Sequence, residues 1–111
     1  MMPAVAYTNE QLQEYILDQL KRGIQDVLAD PTVSDPIREV CVHSGMLARA
    51  ILGGPTANKL DVITLRTQIE EVGHALAATG LVVLDPQYDP GYPASPGVMH
   101  LTPKGLRQLL P

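Results

Sequence analysis

The chain has 111 residues, enough for one domain with a sizeable core. Apolar residues make up 45% and charged residues 18%, a balance that excludes a wholly disordered chain. Eight Lys and Arg stand against twelve Asp and Glu, for a net charge of −4. No basic tract of five or more residues occurs, so affinity for phosphates would require basic residues that cluster in space.

No apolar run reaches the roughly 18–20 residues of a membrane span, so none is expected. The start, MMPAVAYTNEQ, lacks the basic flank and apolar stretch of a signal peptide. The single cysteine, Cys41, cannot form an internal disulfide, and the cytoplasm is the default compartment.

Residues 8–30 read as a helix. Thr8 is the N-cap with Gln11 as its capping-box partner. Leu12, Ile16, Leu20, Ile24 and Val27 form an apolar stripe at helical spacing, widened by Leu17 and Leu28. Gly23 within it suits close packing against a neighbour. Ala29-Asp30-Pro31 ends the helix, because a residue before proline avoids helical backbone. Residues 35–52 read as a second helix, capped by Ser34 or Asp35 with Pro36 in the first turn. Its inner face is Ile37, Val40, Cys41, Leu47, Ala48 and Ile51, and Gly53-Gly54-Pro55 stops it. Residues 60–79 read as a third helix, with Leu65, Ile69, Val72 and Leu76 on one stripe and Gly80 as its break.

Residues 81–84 and 98–101 read as the two strands of a hairpin. Leu81 and Val83 would face one side, Val82 and Leu84 the other. The intervening DPQYDPGYPASPG holds four of the ten prolines and can be neither helix nor tight turn. TPKGLRQLL closes the chain as a short helix, with Thr102 as N-cap and Pro103 at its first position. The fold class is therefore mainly α with a small β-hairpin: helix, helix, helix, hairpin, short helix. A hairpin covers the side that three short helices leave open.

TLRTQIEEVGHALAATGLVVLD, residues 64–85, resembles the recognition helix and first wing strand of winged helix-turn-helix domains of the bacterial transcriptional-regulator type. MHLTPKGLRQLL, residues 99–110, is similar to their closing strand, Leu-Thr-x-x-Gly turn and final helix. The resemblance covers residues 56–110. It implies a single domain over 1–111, in which 8–30 offers a dimer contact and 35–110 is a winged-helix-like core. It also implies a regulator that binds duplex DNA as a homodimer, with 60–79 in the groove and 85–97 as the wing. The short helix expected ahead of the recognition helix has room only around Ala57–Leu60. A competing placement sets Cys41 and Gly45 in an Ala-x-x-x-Gly pattern and makes 46–52 the reading helix.

On a helical wheel Thr67, Glu70, Glu71 and His74 point away from the core, flanked by Arg66 and Gln68. Arg66, Thr67 and Gln68 would enter a major groove, where Arg suits guanine and Gln suits adenine. Lys59, Lys104 and Arg107 are the candidate phosphate contacts. Tyr88 and Tyr92, in the Pro-rich loop, are candidate anchors for a protein partner, because tyrosine buries much area at little entropic cost.

Catalytic signals are scarce. Cys41-x-His43 is too short for a zinc signature, and on a helix the two would face apart. His74 and Glu70 make an i, i+4 surface pair. No phosphate-binding loop, dinucleotide fingerprint or nucleophile elbow occurs. Neither an enzyme nor a cofactor is expected. The alternative to a DNA-binding regulator is a winged-helix-like adaptor or inhibitor, using the acidic helix face and the Tyr-bearing loop.

Overall fold

The computed structural model describes residues 7–32, 40–84 and 97–110. Helix α1 spans Asn9–Ala29. Its capping box is complete: the Gln11 N–H donates to the Thr8 hydroxyl at 3.1 Å, and the Thr8 N–H donates to Gln11 Oε1 at 2.9 Å. Leu12, Ile16, Leu20 and Ile24 are buried along one stripe, whereas Leu28 faces solvent. Each fully buried aliphatic side chain contributes about 1.5–3 kcal/mol. Gly23 meets the start of the next element closely: a Cβ there would lie 3.2 Å from Val40 Cγ1.

The expected helix over 35–52 is corrected. Its caps and Ile37 lie outside the described residues. Beyond them the chain forms strand β1, Cys41–His43, and then helix α2, Ser44–Ile51. Val40 and Val42 are buried while Cys41 and His43 are exposed, an alternation of period two. Cys41 therefore leaves the inner face assigned to it. Cys41 and His43 share the outer face, with Sγ 3.8 Å from Nε2, instead of pointing apart.

Gly53 and Gly54, both at positive φ, turn the chain into a 3-10 turn at Gly54–Thr56. Helix α3 follows over Lys59–Ala78. The Asn58 side chain caps it by accepting from the N–H of Leu60 (2.9 Å) and of Asp61 (3.3 Å). Leu65, Ile69, Val72 and Leu76 are buried as the spacing predicts. The helix ends in a Schellman motif: Leu81 N–H donates to the Leu76 carbonyl at 3.2 Å and Gly80 N–H to that of Ala77 at 3.0 Å. Gly80, at φ 82°, provides the left-handed residue this motif needs.

Strands β2, Val82–Leu84, and β3, Val98–Leu101, pair antiparallel with Val83 opposite His100. The sheet has a third strand that the hairpin expectation did not contain. β1 pairs with β3 on its other side, Val42 opposite Met99, giving the order β1-β3-β2. Val42, Val82, Met99 and Leu101 face the helices and join one core with the stripes of α1 and α3.

Helix α4, Pro103–Leu109, is capped by Thr102, whose hydroxyl accepts from Gly105 N–H at 2.9 Å and donates to the Gly80 carbonyl. A Cβ at Gly105 would overlap the Leu81 carbonyl, so α4 packs tightly on the start of β2. Leu106 and Leu109 pack against the core, while Leu110 is exposed. Helix, strand, helix, turn, helix and a two-stranded wing base, closed by a short helix, make this a mainly α, winged-helix-like fold. The short helix ahead of the long one is α2, not residues 57–60. Among the described residues no helix is long and apolar enough to cross a membrane.

Candidate nucleic-acid interface

α2 and the first half of α3 diverge from the turn at 52–58 and leave an open cleft between them. Its wall includes His43 at the end of β1, Met46 and Arg49 of α2, and Lys59, Ile63 and Arg66 of α3. Three cations and a histidine thus converge, and among the described residues no carboxylate lines the cleft. Lys59 and Arg66 were singled out from the sequence. Arg49 and His43 were not, because the sequence does not show how the turn folds α2 back toward α3.

Behind the cleft lies a buried polar cluster. Glu70 was expected on the outward face, but the structure buries it completely. The Ser44 hydroxyl donates to Glu70 Oε1 at 3.0 Å, and Arg66 Nε lies 3.2 Å from the same oxygen. Ser44 N–H donates to the Gly97 carbonyl at 3.0 Å, so the root of β3 joins the cluster. A buried carboxylate needs this partnership, because an unpaired charge away from water is costly. Arg66, one turn back, is an i, i+4 partner of Glu70, and the burial of Glu70 takes it off the surface where its pair with His74 was expected. Arg66 itself is only 16% exposed and forms the floor of the cleft rather than a side chain reaching out of it. A Cβ at Gly45 would lie 3.5 Å from Arg66 Cδ, so α2 passes directly over the Arg66 stem.

The other candidates divide. Gln68 faces the start of α1: its amide donates to the Tyr7 carbonyl at 2.7 Å and to Asn9 Oδ1 at 3.1 Å. This contact ties α3 to α1 and turns the amide away from the cleft. The Thr67 hydroxyl donates to the Ile63 carbonyl at 3.0 Å. Lys104 Nζ donates to the Thr79 carbonyl at 2.8 Å, beyond the far end of α3, with Arg107 one turn further along α4. At 1.5 Å per residue Thr79, which Lys104 touches, lies about 30 Å from Lys59 along the helix axis, and neither Lys104 nor Arg107 lines the cleft. Tyr88 and Tyr92 lie outside the described residues. Among the described residues no group of three or more His, Cys, Asp or Glu side chains is placed to hold a metal ion.

Comparison with protein-family models, with curated proteins and with solved structures found no match to this chain.

Proposed function

We propose that this protein is a winged-helix DNA-binding regulator of the cytoplasm that sets the α2–α3 cleft against duplex DNA. The observation that carries the reading is the convergence of Arg49, Lys59 and Arg66 on one cleft, with no carboxylate in its wall among the described residues, in a chain whose net charge is −4. The carboxylates of α1, Glu10, Glu14, Asp18 and Asp26, all lie outside that wall. Lys59 and Arg49, both exposed, serve as phosphate contacts. Arg66, paired with the buried Glu70, forms the floor beneath them and adds little net charge of its own. Phosphate contacts of this kind position a protein on the duplex without reading its sequence. A homodimer is part of the proposal, with α1 supplying the contact; its Leu28 is an exposed large apolar side chain. The alternative, an adaptor that uses an acidic face of α3, loses Glu70 to the interior and keeps Glu71.

The test is binding to a mixed-sequence duplex across a salt series. Wild-type affinity should fall steeply with salt, and Lys59→Ala or Arg49→Ala should each reduce the log–log slope by about 1. A folded protein that binds no duplex even at low salt would refute the reading.

A further inference from the structure

The residues that α3 turns outward beside the cleft are unusual for a helix that is to read bases. Leu60 is 73% exposed and Ile63 56%, one turn apart, and Met46 of α2, on the same cleft as Ile63, is 71% exposed. Scattered apolar side chains on a surface need no explanation, but a contiguous group does. Between these residues the polar groups have committed their protons. The Thr64 hydroxyl donates to the Leu60 carbonyl at 2.9 Å and that of Thr67 to the Ile63 carbonyl. A hydroxyl has one proton to give. The Gln68 amide is likewise committed to Tyr7 and Asn9. The bidentate amide–adenine contact expected of Gln68 is thus not offered to a groove.

Resting on the DNA reading above, we infer that this face selects duplexes by the C5-methyl groups of thymine, through apolar contact from Leu60, Ile63 and Met46. In the major groove the thymine methyl is the apolar feature of the base edges, and apolar side chains read it by contact. The charge pattern identifies the occupant. Arg49 and Lys59 line the same cleft as Met46 and Ile63, and among the described residues no carboxylate opposes them there, so the ligand that fits is a polyanion presenting methyl groups between its charges.

The experiment compares the full-length protein on an A·T-rich duplex, on the same duplex with deoxyuridine in place of thymidine, and on a G·C duplex with and without 5-methylcytosine. Binding should weaken about fourfold for each methyl withdrawn from contact. The 5-methylcytosine duplex should bind tighter than its unmethylated counterpart. Leu60→Ala with Ile63→Ala, both at exposed helical positions, should shrink the thymidine–deoxyuridine difference to what Met46 contributes. Equal affinity for the thymidine and deoxyuridine duplexes, with salt-dependent binding intact, overturns the methyl readout and leaves the DNA reading standing. Absence of binding to every duplex at low salt overturns both.

Discussion

Glu70 does more for this molecule than its place in a helical stripe suggests. It accepts from Ser44, pairs with Arg66 and sits against Gly97, so one carboxylate joins α2, α3 and the root of β3. Glu70→Ala removes the carboxylate that pairs with a mostly buried guanidinium and accepts from Ser44, and should cost about 3 kcal/mol in urea unfolding. Glu70→Gln, which can still accept from Ser44, should cost less. Gly97→Ala acts on the same cluster from the other side. Its φ of 57° is left-handed, and the added Cβ would overlap the Ser44 oxygen, so a loss of at least about 2 kcal/mol is expected. Gly53→Ala, also at positive φ but with open space around it, should cost less. None of this was legible in the sequence. A glutamate is read as solvated until its partners are known, and Ser44 lies 26 residues away. Asp30 is a simpler case. The Thr32 hydroxyl, at 2.7 Å, and the Thr32 N–H hold its carboxyl below the ordinary value of 3.8. The sign follows: its contribution is present at neutral pH and lost as pH falls through the depressed value. Thr32→Val should raise the Asp30 titration midpoint seen by NMR.

Helices α1, α3 and α4 were legible because each carried its own punctuation. Thr8 and Gln11 cap α1, Gly80 closes α3, and Thr102 with Pro103 opens α4. These are interactions within a few residues, which local sequence can report. Thr8→Ala should therefore cost about 1 kcal/mol, read as a lower thermal midpoint. Strand β1 was not legible. Val40, Cys41 and Leu47 fit a helical spacing as well as Val40 and Val42 fit an alternating one, and three residues cannot decide between the two periods. Pairing with β3 decided it, through a backbone partner nearly sixty residues away. Propensity yields to such tertiary contacts, most readily in short strands.

Charge is distributed unevenly over the whole molecule, and the net value of −4 hides this. Lys59 and Arg66 were legible as cations of one helix. Their company with Arg49 and His43 was not, since it depends on how the turn at 52–58 folds. Lys104 and Arg107 carry the same charge but lie at the other end of α3. If only the cleft cations engage phosphates, the salt slope per protomer should be about −2 to −3. A slope near −5 would bring the α4 cations into the interface as well.

The strand order also bears on how the chain is made. β3 lies between β1 and β2 but is the last strand to leave the ribosome. Until residues 98–101 emerge, Val42 and Val82 have no partner strand, and the helices lack Met99 and Leu101 in their shared core. A nascent chain halted before residue 98 thus carries two unpaired edges, the form most prone to join a neighbouring copy. Both edges close on the same strand, so that exposure ends in one event rather than two.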